Sequence, residues 1–178
     1  MIVNKGTLYW ITGLSGSGKT TIAKVLYKHI KLKYSNTIIL DGDVLREVLG
    51  CKEISYDKKS RKSLAMQYSK LSKLFTDQGI NVVFATISMF EEVRVWNRAN
   101  ISNYIEIYLK VSINKILERD KNQLFSKALR KEEKNVVGVD IIIEEPKNPD
   151  IVLENNMHES ISNLAKDLIQ KISLINLK

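Results

Sequence analysis

Apolar residues along this chain fall into short unbroken runs separated by longer stretches with helical spacing. Five runs are rich in β-branched and aromatic residues: Gly6 to Thr12, Asn36 to Leu40, Asn81 to Ile87, Tyr104 to Leu109, and Ile151 to Leu153. Their length and composition predict buried strands. Between the first two, Ile22, Val25, Leu26 and Ile30 recur at the spacing of a helix face. Further helices are predicted around Val44 to Leu49, from Asp57 to Gln78, from Glu91 to Asn100, and from a Ser112 cap to about Arg119. The last runs from Ile161 to Leu174. In the Asp57–Gln78 helix, Leu64, Leu71, Leu74 and Phe75 share one face, and Gly79 suits the C-cap. Strands alternating with helices predict an α/β fold, a five-stranded parallel sheet with helices on both faces. Ligands of such sheets collect at the carboxyl ends of the strands. By that rule residues 13–20, 41–46 and 87–88 converge on one crevice.

The first strand runs directly into Gly13-Leu14-Ser15-Gly16-Ser17-Gly18-Lys19-Thr20, which fits G-x-x-x-x-G-K-[ST] without a mismatch. Each fixed position has a task around a polyphosphate. The glycines turn the backbone tightly and bring N–H groups close to phosphate oxygens. Lys19 reaches the β- and γ-phosphates, and the Thr20 hydroxyl is placed for Mg²⁺. With Thr21 the loop opens a helix, whose N-terminal N–H groups and dipole favour an anion. The motif predicts a nucleotide-binding loop and refines the fold to a P-loop NTPase-type three-layer αβα domain.

Length and composition bound the remaining choices. A chain of 178 residues with 44% hydrophobic and 27% charged residues is one globular domain. Its formal charge of +8 is spread along the chain without a basic run or interleaved aromatics. That pattern suits anionic small molecules and argues against a nucleic-acid partner. Cys51 is the only cysteine, which excludes an intrachain disulfide and a cysteine metal cluster. His29 and His158 have no partner motif and are expected to be structural or solvated. No apolar run reaches membrane-spanning length and the N-terminus lacks the apolar core of a signal peptide, so the expectation is a cytoplasmic protein with no membrane partner.

Asp41-Gly42-Asp43 closes the second strand and sets two carboxylates on the rim facing the phosphate loop. Phosphoryl transfer needs one acid near the metal and one that orients or deprotonates the acceptor hydroxyl. Arg46, three residues on, is spaced to pair an anionic group of the acceptor. The charged stretch after Arg119-Asp120 suits a short lid over residues 120–137, with Arg119 able to stack on the adenine of ATP. A solvated charge run is the commoner meaning of such a stretch.

The order of these motifs resembles the adenylylsulfate (APS) kinases, P-loop kinases that phosphorylate the ribose 3′-hydroxyl of a nucleotide sulfate mixed anhydride. The likeness spans nearly the whole chain. It runs through Gly13–Thr20, Leu40-Asp41-Gly42-Asp43, Arg46, Arg61, Leu74 to Gly79, Ile87-Ser88 and Glu118-Arg119-Asp120, and ends in Gly138, Glu144, Pro146, Asn148 and Pro149. The resemblance implies ATP and Mg²⁺ as cofactors and a homodimer. It implies Asp43 beside the acceptor hydroxyl and the metal, with Lys19 and Asp43 catalytic and Thr20 and Asp43 on Mg²⁺. It places Asp41, Arg46 and Arg61 on the acceptor nucleotide and makes Ile87 and Ser88 a wall of its pocket.

Departures from the family pattern cluster on the acceptor side. Val44 stands for the Asn that follows D-G-D, and Ser63-Leu64-Ala65-Met66-Gln67 stands for E-N-I-R-R. Met89 replaces the Pro after Ile-Ser, and Asn122-Gln123-Leu124-Phe125 replaces the lid's K-G-L-Y. Of the two aromatics that sandwich the acceptor adenine, Tyr56 replaces one and Val136 the other. Losing cationic donors and a stacking face weakens a sulfated adenine nucleotide, since base stacking alone is worth roughly 1–3 kcal/mol. A branch of the family phosphorylates cytidine diphosphoramidate (CDP-phosphoramidate) in capsular polysaccharide modification. The departures point to a related acceptor with a different base, anhydride group or both, and the resemblance to that branch implies CDP-phosphoramidate as the favoured acceptor, with adenylylsulfate the runner-up. Two readings compete from outside: a kinase of the nucleoside monophosphate type and a non-catalytic nucleotide-binding regulator. The paired Asp41/Asp43 and the Glu144–Pro149 stretch argue against the first, and retained Lys19, Thr20 and Asp43 against the second.

Overall fold

The computed structural model describes residues 4–51, 55–118, 120, 123–155 and 160–175. Five strands, β1 (Thr7–Thr12), β2 (Thr37–Asp41), β3 (Asn81–Ala85), β4 (Asn103–Lys110) and β5 (Ile151–Glu154), form one sheet in the order β2-β3-β1-β4-β5. Every pairing is parallel. The α/β fold expected from the sequence is the one observed.

The inner strands β1 and β3 are buried along nearly their whole length because both faces of the sheet are covered, whereas the edge strand β5 alternates buried and exposed residues. Along β1 the side chains alternate. Tyr9 and Ile11 join one core with α1 (Lys19–Lys33) and α7 (Ile161–Ile175). Leu8 and Trp10 join the other, with α3 (Lys58–Asp77) and α4 (Glu91–Asn100). A third cluster lies beyond the carboxyl end of the sheet. There Leu14, Met89, Tyr108 and Ile116 of α5 (Ile113–Leu117) pack with Phe125 and Ala128 of α6 (Leu124–Leu129) and with Val136, Val137 and Ile141. The short α2 (Gly42–Val48) follows β2 directly.

Local signals set the ends of these elements. Asp57 caps α3 by accepting from the Ser60 amide at 3.0 Å, and Ser112 caps α5 by accepting from the Lys115 amide at 3.3 Å. Gly79 takes a left-handed φ of 80° after α3. Its amide donates to the Thr76 carbonyl and that of Ile80 to Phe75, the paired bonds of a Schellman motif.

Two expectations need correction. Leu74 is 57% exposed, whereas Leu64 is buried and Phe75 packs on the core as expected, and Ala65, Tyr68, Ser69, Ser72 and Thr76 complete the buried side of α3. The buried hydroxyls of Ser72 and Thr76 donate to carbonyls of their own helix, which lets polar residues face inward. The charged stretch expected to be unpatterned contains α6, anchored by the fully buried Phe125.

An ion-pair cluster fastens α4 to the sheet edge. Arg94 and Glu106 are both about 95% buried, with Nε and Oε1 3.1 Å apart. Glu106 also meets Arg98 at 3.2 Å, and Arg98 reaches Asp150 at 3.0 Å. Glu106→Ala strands the Arg94 guanidinium, and breaking a buried pair from one side costs about 3 kcal/mol or more. Thermal unfolding is expected to show a midpoint lower by roughly 9 °C in a domain of this size. Lys115→Ala breaks an exposed pair with Glu118 and leaves the midpoint in place. An unshifted midpoint for Glu106→Ala would remove the pair from the list of stabilising contacts.

Candidate active site

Strand β1 ends against the phosphate loop, and packing fixes the loop's path. A Cβ on Gly13 would lie 2.5 Å from the Leu109 carbonyl oxygen, so the backbone passes where no side chain fits. Gly18 takes φ 98° as the N-cap of α1 and supplies no side chain to the helix N–H groups. Those donors are left for a ligand. Asn155, just past β5, donates from Nδ2 to the Ser17 carbonyl at 2.9 Å and braces the loop from below. Gly13, Leu14 and Ser17 form the rear of the loop, while Ser15, Gly16, Gly18, Lys19, Thr20 and Thr21 line a cleft of about 320 Å³.

Lys19 is buried, and its Nζ donates to the Leu14 carbonyl at 2.6 Å. Burial lowers its pKa to about 8, against the pull of Asp43 and then Asp41. Thr20 Oγ1 donates to Asp41 Oδ2 at 2.7 Å, and the other oxygen of Asp41 accepts from the Asp43 amide at 3.0 Å, capping α2. The hydroxyl expected at the metal is therefore coupled to Asp41, with Asp43 two residues further along. A hydroxyl and a carboxylate at hydrogen-bond distance are hard oxygen donors, a set that fits Mg²⁺. Asp43 lines the same cleft.

Across the cleft stand Arg46, Tyr56 and Arg61. The Arg46 guanidinium, 6% exposed, lies 3.9 Å from the Tyr56 ring centroid, and that of Arg61 lies 4.8 Å from it. Arg61 donates from Nε to the Tyr56 carbonyl at 2.6 Å and from Nη2 to the Asn135 carbonyl at 2.9 Å. Burial, then the neighbouring Arg46, lowers the Arg61 pKa. Two like charges held this close suit an anion between them. Tyr56, expected as a stacking face for a base, has its ring engaged by both guanidiniums.

The wall between these halves is largely apolar: Leu64, Ala65, Tyr68, Ala85, Phe90 and Val137, with Thr86, Ile87 and Ser88. Leu64 stands where the resembled pattern has an amide, whereas Ala65 stands for its Ile, and Met66 and Gln67, which replace its two arginines, do not line the cleft. The Ser88 hydroxyl is buried and makes no hydrogen bond among the described residues. Ile87 accepts from Thr12 Oγ1 at 2.7 Å through its carbonyl. Val136 is buried in the third cluster, and its neighbour Val137 is the one that lines the cleft. Arg119 lies outside the described residues, as does His158. Sequence reasoning missed Asn155, Tyr68 and Phe90. Tyr68 donates its hydroxyl to the Gly42 carbonyl at 2.8 Å and so supports the start of α2. No local motif marks any of the three, because Tyr68 and Phe90 reach the cleft, and Asn155 the rear of the phosphate loop, through tertiary packing. No helix among the described residues is long and apolar enough to cross a membrane.

Residues 5–154 match the family model for adenylylsulphate kinase. The chain is 43% identical over 171 residues to a cytidine diphosphoramidate kinase of Campylobacter jejuni, covering 96% of this chain and 99% of that one. It is 34% identical to an adenylyl-sulfate kinase of Thermodesulfovibrio yellowstonii, covering 93% and 83%. The APS kinase CysC of Mycobacterium tuberculosis, solved with AMPPNP and APS, superposes with a TM-score of 0.83 at 28% identity, over 95% of this chain and 98% of that one.

The buried ammonium sets a pH signature for nucleotide binding. With a pKa of about 8, Lys19 in the free protein loses its proton as pH rises through 8. A polyphosphate beside it favours the charged form and raises that pKa again. Binding above pH 8 therefore takes up a proton, and affinity falls as pH rises. Calorimetry of ATP binding at pH 8.5, in two buffers of different ionisation enthalpy, is expected to report uptake of most of a proton, abolished in Lys19→Met. Equal uptake in both proteins would assign the proton elsewhere.

Proposed function

The chain belongs to the adenylylsulphate kinase family of ATP-dependent phosphotransferases, and we propose that it phosphorylates the ribose 3′-hydroxyl of CDP-phosphoramidate. The observation that carries this reading is an asymmetry within one cleft. The phosphate loop has every feature of its motif, whereas the opposite wall is apolar at Leu64, Ala65 and Val137. A smaller base with an anionic 5′ anhydride suits that wall better than a sulfated adenine nucleotide. The high identity to the Campylobacter enzyme along the full chain supports the same acceptor. A homodimer, implied by the family resemblance, is part of the same proposal.

In this reading the amides of residues 15–20 and the Lys19 ammonium grip the donor polyphosphate. Thr20 and Asp41 would hold Mg²⁺, which when bound neutralises phosphate charge. Arg46 and Arg61 clasp the anhydride of the acceptor, and Ser88 offers its hydroxyl to the nucleoside. Asp43, facing the cleft beside Lys19, takes the proton from the 3′-oxygen as that oxygen attacks the γ-phosphorus. Lys19 follows the negative charge as it passes to the leaving oxygen.

Adenylylsulfate kinase activity is the second reading, favoured by the retained Arg46–Tyr56–Arg61 group. The two readings separate on kcat/KM. CDP-phosphoramidate is expected to exceed adenylylsulfate by at least about a hundredfold, roughly 2.7 kcal/mol of discrimination. Equal or better turnover of adenylylsulfate would overturn the acceptor assignment.

The two carboxylates also separate by experiment. Asp43→Asn is expected to lower kcat by about a hundredfold or more with ATP affinity within threefold, because a general base serves the transition state. Asp41→Asn is expected to raise the Mg²⁺ concentration needed for half-maximal rate. Single-turnover rates across a Mg²⁺ titration check both, and the reverse pattern would exchange their roles.

A further inference from the structure

Helix α4 begins at the acceptor wall without a cap of its own. Its N-cap is Phe90, which has no side-chain hydrogen bond to offer, yet Phe90 lines the cleft just beyond Ile87 and Ser88. A carboxylate 53 residues away takes over the task. Glu144 Oε2 accepts from the Glu91 amide at 2.8 Å, and the Glu144 amide donates to the Met89 carbonyl at 3.3 Å. A carboxylate there satisfies an orphan N–H and complements the helix dipole.

The second oxygen points to a different element. Glu144 Oε1 lies 3.0 Å from Nζ of Lys58, the first residue of α3. That helix end carries the other side of the acceptor half, with Tyr56 just before it and Arg61 and Leu64 in its first turns. Glu144 itself does not line the cleft. One carboxylate thus joins the starts of α3 and α4, and each start carries one side of the acceptor half.

We propose that Glu144 is a positioning residue for acceptor binding, bracing the Tyr56–Leu64 side of the cleft against the Ile87–Phe90 side. The inference rests on the reading that the acceptor nucleotide lies between those two sides. Loss of the brace lets the sides separate without touching the phosphate loop, so the effect falls on the acceptor alone. The backbone contact to α4 carries more of the effect than the half-exposed Lys58 pair.

Steady-state kinetics on Glu144→Ala, Glu144→Gln and Lys147→Ala test this, using whichever of CDP-phosphoramidate and adenylylsulfate the unmodified enzyme turns over better. That choice keeps an error in the acceptor's identity visible in the unmodified enzyme rather than in the variant. Glu144→Ala is expected to raise the acceptor KM at least fivefold with the ATP KM within twofold. Glu144→Gln keeps an oxygen for the Glu91 amide and is expected to recover most of the loss. Lys147→Ala breaks an exposed pair with Glu91 at the same helix end and is expected to change neither constant. Acceptor and ATP KM rising together, or neither rising, would overturn the proposal. Amide hydrogen exchange reads the brace without turnover, even if neither anhydride proves a substrate. Glu144→Ala should speed exchange at residues 60–62 and 91–94 and leave residues 13–20 unchanged. Unchanged exchange at both helix starts would overturn it as well.

Discussion

Lys19 keeps an ammonium group buried at the end of a parallel sheet, where the charged form is disfavoured. The surrounding structure is arranged to make that position tolerable only in part. The Leu14 carbonyl accepts a hydrogen bond from it, and Asp43 and Asp41 supply opposite charge. Burial still outweighs them, and the pKa stays well below that of a free lysine. A polyanion supplies what is missing. The glycines hold the loop close enough for its amides to share the same ligand, and Gly13 does so only because nothing larger than hydrogen fits beneath the Leu109 carbonyl. Strand order, loop path and the Asn155 brace all serve to keep this one charge in place.

The opposite half of the cleft meets the same problem with different means. Arg46 and Arg61 bring two cations together beside one tyrosine ring, and each lies near its π-face. Arg61 is further tied to the Asn135 carbonyl, in a turn whose amides at 135 and 136 donate to Asp140. The acceptor half is therefore built by contacts between α3, the 135–140 turn and the start of α4. It has polar grips at its rim and a largely apolar wall that includes the rings of Tyr68 and Phe90.

Much of this was legible in the sequence for physical reasons. The inner strands β1 and β3 are largely apolar runs because both sheet faces are covered there, and the phosphate loop is a local motif whose chemistry and spacing coincide. The ends of α3 and α5 were written in Asp57, Gly79 and Ser112. The inner face of α3 was not, since Ser72 and Thr76 hide their hydroxyls on their own helix and so pass inward as if apolar. Helix α6 was masked by charged neighbours on both sides, although Leu124, Phe125 and Ala128 follow helical spacing. Phe90 and Tyr68 reach the cleft, and Asn155 the back of the phosphate loop, from elements distant in sequence, and no single-chain pattern announces such contacts. Val136 was expected at the cleft wall, yet the turn places Val137 there, a one-residue difference that spacing alone cannot resolve.

On the proposed reading, the donor and acceptor halves of the cleft have separate specificities, the first common to the family and the second shifted toward a cytidine mixed anhydride. Thermal unfolding in the presence of ADP and Mg²⁺ tests it at equilibrium, free of any catalytic step, with CDP-phosphoramidate or adenylylsulfate added at equal concentration. A ligand that binds the folded state raises the midpoint in step with its affinity. The account predicts a clear further rise with CDP-phosphoramidate and little or none with adenylylsulfate. A larger rise with adenylylsulfate would contradict it.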